Sequence, residues 1–325
     1  MPSPNAVFTE IVSTTFRNHS KDIMDNVSRH NALYRKMKQK GKTRTESGGY
    51  SIVAPLEYAA NGTYQRYSGM DVLNVAQSDV FTAAEFNWRQ IAINVTTSGY
   101  EMRVNAGPQR IANLAKSRIS NAIHTFSNNF SSDMYSDGSL PNQIDGLQKL
   151  VADAGTGTVG GIDSSAYPFW QNIVQSAAAP LQGGGAITPS GGAGVMESLM
   201  LPLYIQLTRN SDKPDMIVAS NDYFTFFEQG QVTLKRYIDS ESADAGFMEL
   251  AYKGTPVFFD GVSGMAASRM YFLNTQYLEM VVHTDANMTV MDEAKPYNQD
   301  AVVVPVLWMG NMVVTNRSLQ GIVKA

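Results

Sequence analysis

The chain has no cysteine in 325 residues. That one absence removes disulfide staples, thiolate metal sites and a cysteine nucleophile. Charge is also scarce: 17% of residues are charged, against about a quarter in an average soluble chain, and the net charge is −4. So little charge on so long a chain fits a surface buried among copies of itself, although a mildly acidic enzyme has a similar composition. No stretch approaches 18 consecutive apolar residues, so no membrane-spanning helix and no membrane partner are expected. The first residues, MPSPNAVFTEIVSTTF, lack the basic start and apolar run of a signal peptide. Synthesis and assembly in a cytoplasm are therefore expected. Histidine is down to four scattered residues, His19, His30, His124 and His283, with no metal-ligand spacing among them. Between Lys42 and Lys116 there is no lysine at all.

The patterns that usually carry chemistry fail on context. Gly155-x-Gly157-x-x-Gly160 matches a dinucleotide fingerprint letter by letter. No clear strand precedes it, no helix opens from it, and no acid follows at the right distance, so it reads as a loop. The Gly-rich stretch 183–194 has no Gly-Lys-Ser/Thr and is not a phosphate loop. His283 with Asp285, and Asp292 with Glu293, are the one His/acid grouping, and such a pair is ordinary on a strand surface. No Gly-x-Ser-x-Gly elbow occurs. No catalytic, cofactor-binding or metal-binding residue is nominated, and no cofactor is expected.

What is present is an order of parts. Ile111, Ala115, Ile119, Ala122, Phe126, Phe130 and Met134 recur every three or four residues, which predicts one long helix over about 107–135. Gly107-Pro108 opens it and Asp137-Gly138 closes it. Before it, residues 5–40 read as helix with a narrow apolar stripe, an arm to lie along a surface. Seven of the 25 basic residues fall between Arg29 and Thr45, where no acid occurs; the other 18 stand against 29 acidic residues. This run, with Arg35, Lys36 and Lys38, suits nucleic acid, acidic faces of neighbouring subunits, or plain solvent. Residues 49–100 read as a long two-stranded excursion around Asn61-Gly62, with a loose tip. Its second run, Val80 to Thr97, switches parity: Phe86 and Trp88 share one face, Ile91, Ile93 and Val95 the other. A lone hairpin of this length needs something to lie on. After the long helix come short helices, expected at 167–178, 195–209 and 222–229, among strands near 216–219, 254–260, 270–274, 278–283, 288–291 and 301–315. Gly310-Asn311 reads as a turn or kink, and Ser220 as a helix cap.

A basic arm, an extended two-stranded loop, a long helix and an α/β body resemble one family, the major capsid proteins of tailed bacteriophages with the Hong Kong 97-like fold. Local sequence carries the same likeness: Asp137-Gly138, Ile144-Asp145-Gly146-Leu147, Gly160-Gly161-Ile162-Asp163 with Tyr167 and Trp170, Pro214-Asp215-Met216-Ile217-Val218, and Lys253-Gly254-Thr255-Pro256-Val257. The resemblance implies an α+β chain with an N-arm at 1–48 and an E-loop at 49–100. A P-domain would take 101–145 and 276–325 around the spine helix, and an α/β A-domain 146–275. It implies a structural shell protein, not an enzyme, that self-assembles as pentamers and hexamers into the head of a tailed double-stranded DNA phage. Its place would be the virion. Portal, decoration and separate scaffolding proteins would be partners, and packaged DNA would be held without sequence-specific binding. Tyr64, Arg66, Tyr67 and Met70 near the E-loop tip, with Arg35, Lys36 and Lys38, would touch adjacent subunits. The missing lysines exclude an isopeptide lock from this loop, and the arm beginning close to Met1 speaks against a fused scaffold. An encapsulin-like nanocompartment shell and a soluble α/β enzyme are the alternatives.

Overall fold

The computed structural model describes residues 31–104, 108–181, 196–230, 249–260 and 264–325. The first 30 residues of the expected arm and the Gly-rich stretch 183–194 lie outside these. In chain order, α1 (Ala32–Gln39) leads into β1 (Thr43–Glu46). A hairpin follows, β2 (Ser51–Glu57) and β3 (Phe81–Asn87), then β4 (Arg89–Ser98). Next come the short α2 (Gly99–Val104) and the long α3 (Pro108–Asp133). One helical turn, α4 (Leu147–Leu150), precedes the two-residue strands β5 (Thr158–Val159) and β6 (Ile162–Asp163), and β7 (Ile173–Ser176). Then follow α5 (Leu201–Leu207), β8 (Met216–Ala219), α6 (Asn221–Gly230), β9 (Glu249–Tyr252), β10 (Thr255–Phe259) and β11 (Arg269–Leu273). Two long strands, β12 (Leu278–Val290) and β13 (Ala301–Val314), and the short β14 (Gly321–Lys324) complete the order.

The long helix forms for the reason its spacing suggests. Pro108 stands at its first position, where a missing N–H costs nothing. Along the part whose side chains are described, Ile119, Ala122, Phe126 and Phe130 are buried, while Asn121, His124, Thr125 and Asn128 are exposed. At 1.5 Å per residue its 26 residues span about 39 Å. Its apolar face lies on a four-stranded sheet of order β1-β12-β13-β4, where Phe130 meets Trp308 edge-on at 5.1 Å. β1 runs parallel to β12, and the other two pairings are antiparallel. Gly310-Asn311 is no turn. β13 runs straight through it, because Gly310 pairs with Val282 on one side and Arg89 on the other. The strands expected at 278–283 and 288–291 are one strand with irregular register between Val282 and Thr289.

The second sheet has six strands, β7-β14-β11-β8-β10-β9. All four residues of β8 are buried, since both faces are covered. Met216, Val218, Phe258, Tyr271 and Ile322 face the core shared with the long helix, and Ile217, Ala219, Met270 and Phe272 face α5 and α6. The short helix expected at 167–178 is instead a 3-10 turn at Pro168–Trp170 followed by β7, whose Ile173 and Val174 pair in parallel with Gly321 and Ile322. β14 therefore belongs to this second sheet and not with the strands before it. Ser220 does not cap α6 with its hydroxyl; that group donates to Asp222 while it accepts from the Arg269 N–H at 3.2 Å. Between β13 and β14, Arg317 is fully buried and ties that connection to the segments before β7: its guanidinium donates to Leu150 O (2.8 Å), Trp170 O (3.0 Å) and Asn172 Oδ1 (2.9 Å). Burial pushes its pKa down to about 10, which still leaves it charged at neutral pH.

Two expectations change. The segment after residue 30 is not an arm lying along a surface. Asn31 caps α1 by accepting the Tyr34 N–H at 2.6 Å, and Ala32, Leu33, Tyr34 and Met37 are buried, with Tyr34 against Phe130 at 5.6 Å. The excursion at 49–100 is also not one two-stranded piece. Only Ser51–Glu57 and Phe81–Asn87 pair with each other; Arg89–Ser98 pairs with β13. The parity switch at Trp88 marks where the chain leaves the hairpin for the sheet.

Candidate assembly surfaces

The hairpin root is anchored within its own chain. One face of β2 and β3 alternates into the core, burying Ile52, Ala54, Leu56, Ala84 and Phe86. The Glu85 N–H donates to Gly160 O at 2.9 Å. Gly160 has φ +59, and a Cβ there would lie 2.8 Å from the Ala84 Cβ, so the turn between β5 and β6 reaches the hairpin only because glycine occupies it. The last glycine of the stretch that mimics a dinucleotide fingerprint thus shapes a turn that docks the hairpin.

The junction between hairpin and sheet is held by buried polar groups. Asn311 is wholly buried; it donates to Asn87 O (2.9 Å) and Asp145 Oδ2 (2.9 Å) and accepts the Asp145 N–H (2.9 Å). Asp145 also accepts from Lys149 at 2.5 Å, with the Arg89 guanidinium 3.5 Å away. Trp88 donates its indole N–H to Gly49 O at 3.1 Å and meets the His283 ring edge-on at 5.4 Å. His283 in turn accepts the Asp285 N–H at Nδ1, which gives that His/acid grouping a structural role. Beside Trp88 opens a cavity of about 400 Å³.

Beyond the root, residues 58–80 form no strand, yet they are not loose. Asn61 Oδ1 accepts from the Thr63 N–H (3.0 Å) and hydroxyl (2.8 Å), and Ser78 Oγ accepts the Gly62 N–H (3.1 Å). Gln65 spans the loop, donating to Val72 O (3.0 Å) and accepting the Asn74 N–H (3.0 Å). Asp71 accepts the Ser68 N–H at 2.8 Å. These polar side chains brace the tip at its surface, and its large apolar side chains are left exposed. Tyr64 is 81% exposed, Tyr67 65% and Met70 101%, with Arg66 also exposed. Sequence reasoning missed Val72, at 92%, and Val75, at 90% exposure. Their signal was available: apolar residues without a strand period, set among Asn, Gln, Ser and Asp. Several large apolar side chains exposed together mark a contact surface.

Arg35, Lys36 and Lys38 are not at the tip. They sit on α1 beside the long helix, the first two half-buried and Lys38 exposed. Part of the basic run is used inside the chain: Lys40 lies 2.6 Å from Asp215, and Arg44 pairs with Glu46 (3.0 Å) and Glu279 (3.4 Å). Near the long helix, Glu101 is held below the usual carboxylate range by the Ser98 N–H and by Arg118, whose guanidinium approaches to 2.6 Å. Among the described residues, no group of three His, Asp or Glu is arranged to hold a metal ion.

No protein-family model matches the sequence, and no curated protein does. Solved structures do match. The capsid asymmetric unit of cyanophage A-1(L) is similar over 87% of this chain and 90% of that one, with 16% identity and a TM-score of 0.61. The chain has the Hong Kong 97-like capsid fold. The capsid of an empty GTA particle matches over 88% of both chains (11% identity, TM-score 0.53). The capsid of Myoviridae phage XM1 matches over 89% of this chain and 91% of that one (11% identity, TM-score 0.51). At such identities the likeness resides in the path of the chain. A capsid fold accounts for the long helix on a four-stranded sheet, the second six-stranded sheet and the projecting hairpin as parts of one α+β plan.

Proposed function

We infer that this chain is a structural shell protein, the major capsid protein of a tailed double-stranded DNA phage, and not an enzyme. The observation that carries the reading is the hydrogen-bonded tip at 58–80 with its exposed apolar side chains, on a capsid fold. Tyr64, Tyr67, Met70, Val72 and Val75 have no core of their own, and each large apolar side chain gains about 1.5–3 kcal/mol when fully buried. Copies of the chain would supply that burial in pentamers and hexamers that close into an icosahedral head around packaged DNA, held without sequence specificity. The hairpin to Trp88 serves as the E-loop, with Tyr64, Arg66, Tyr67 and Met70 against an adjacent subunit. The long helix with its four strands serves as the P-domain, and the six-stranded sheet with α5, α6 and β14 as the A-domain. Arg35, Lys36 and Lys38 face a neighbour from α1. Scaffolding, portal and decoration proteins are the further partners, the host cytoplasm is the site of assembly, and the virion is the final location. With no cysteine, and no lysine in the hairpin, the shell is held by non-covalent contacts.

Sedimentation and negative-stain microscopy of the purified chain test this. Closed shells are expected, and a chain that stays monomeric or dimeric under all assembly conditions overturns the reading. Deleting residues 60–72 should leave folded, soluble subunits that close no shells. Shells filled with an enzyme and lacking nucleic acid would point to a cargo compartment instead.

A further inference from the structure

Asn61-Gly62 is the one Asn-Gly pair in the sequence, and both residues are exposed. Asparagine is a thermolabile side chain, most of all before glycine, where no Cβ keeps the next backbone nitrogen from the carboxamide. The reaction is self-contained. The Gly62 nitrogen forms a bond to Asn61 Cγ, the Cγ–Nδ2 bond breaks, and Nδ2 leaves as ammonia with the proton that Gly62 gives up. Solvent water then opens the ring on either side, leaving aspartate or isoaspartate and a net gain of about 1 Da.

In the folded chain both reacting groups are engaged elsewhere. The Gly62 N–H donates across the loop to Ser78 Oγ at 3.1 Å, which turns the nucleophile away from its own side-chain neighbour. Asn61 Oδ1 accepts from the Thr63 N–H (3.0 Å), the Thr63 hydroxyl (2.8 Å) and the Ser78 hydroxyl (3.3 Å), which fixes the carboxamide. Gly62 O accepts from Asn74 Nδ2 at 3.2 Å, so the glycine is held on both sides. Ser78 touches both partners of the reaction with one hydroxyl: it accepts from Gly62 and donates to Asn61. We propose that Asn61 is a site of spontaneous deamidation that Ser78 holds closed. Water reaches the pair, but ring closure waits until both Ser78 bonds open together. Once it has happened, the tip carries one more negative charge. Isoaspartate also lengthens the backbone by one carbon, and the brace at Thr63 and Ser78 is not regained. The pair is therefore a slow chemical clock set by the fold of the loop.

Mass spectrometry of aged full-length chain tests this. Four samples are kept at mildly alkaline pH: the unmodified chain folded, the same chain in urea, and folded Ser78→Ala and Asn61→Gln. The peptide that holds Asn61 should gain its mass quickly in urea and about tenfold more slowly in the folded chain. Ser78→Ala should bring the folded rate most of the way to the rate in urea. Its urea midpoint should match that of the unmodified chain, because Ser78 lies outside every helix and strand. Thr63→Val, which leaves both Ser78 bonds in place, should stay nearer the slow rate. A folded chain that reacts as fast as the chain in urea overturns the hold. Equal rates for Ser78→Ala and the unmodified chain, or a Thr63→Val rate as fast as that of Ser78→Ala, overturn the part of Ser78. A mass gain in the same peptide of Asn61→Gln overturns the assignment to Asn61. Shell formation is not required for any of these results.

Discussion

Asn311 and Asp145 exchange two hydrogen bonds in the interior: the Asp145 N–H donates to Asn311 Oδ1 at 2.9 Å, and Asn311 Nδ2 donates to Asp145 Oδ2 at 2.9 Å. The pair ties β13, near its C-terminal end, to the segment after the long helix, and through Asn87 O to the hairpin root. Replacing Asn311 with Leu leaves a buried N–H, a carboxylate oxygen and a carbonyl short of partners. The expected loss is about 2–4 kcal/mol of unfolding free energy, read from urea denaturation. Hydrogen exchange in residues 81–89 should rise more than in β8 or β11.

Gly160→Val tests how the hairpin is seated. The new Cβ meets the Ala84 Cβ at 2.8 Å and forces a branched residue to φ +59. An overpacking cost of about 1–3 kcal/mol is expected. It should appear as faster exchange across 51–57 and 81–87, with β12 and β13 keeping their protection. Equal loosening of both regions would show that the turn does not act on the hairpin.

Asp222 links acid stability to one contact. Burial pushes its carboxyl up, but hydrogen bonds from Ser220 and Ser268 outweigh this, and its pKa in the folded chain is lowered. A lowered folded value means that the stabilisation is complete above the unfolded value, about 3.9, and is lost as pH falls through the folded one. The urea midpoint of Asp222→Asn should therefore lie below that of the unmodified chain at pH 6. The difference should shrink as the pH is lowered from about 5 towards 2. A gap that is constant over that range would refute the assignment.

The two faces of the long helix should respond in opposite ways. Ile119 is 3% exposed in mid-helix, so Ile119→Pro removes a helix bond and costs about 3 kcal/mol or more before any packing loss. Soluble folded subunits should not be recovered. His124 is exposed, and His124→Ala should stay within about 0.5 kcal/mol of the unmodified chain in stability. Its effect, if any, should be on particle yield in microscopy.

The helix spanning Pro108–Asp133 was legible because its bonds join residues four apart and its apolar face recurs within each turn. The hairpin was legible as two extended runs around a turn, and the parity switch near Trp88 was visible, but its meaning was not. Nothing local says that Asn87 pairs with Ser51 while Arg89 pairs with Gly310. α1 departs from its sequence pattern for a related reason. Its apolar stripe of Leu33, Tyr34 and Met37 is narrow on its own, and only the long helix and the sheet beside it make a core of it. At the tip, Tyr64, Tyr67 and Met70 could be named from residue type, and Val72 and Val75 carried the same signal, apolar residues without a strand period among polar ones.

The sequence alone determined the long helix, the α+β plan, the want of cysteine chemistry and the extended runs on either side of Asn61-Gly62. Tertiary structure decided which strand joins which sheet, why Gly160 must be glycine, and which way the tip residues face. The division follows from where backbone groups find their partners. A helix satisfies its N–H and C=O groups within itself, so local spacing suffices. A strand satisfies them only against another strand, and β4 and β14 found theirs in β13 and in β7 and β11, far away along the chain.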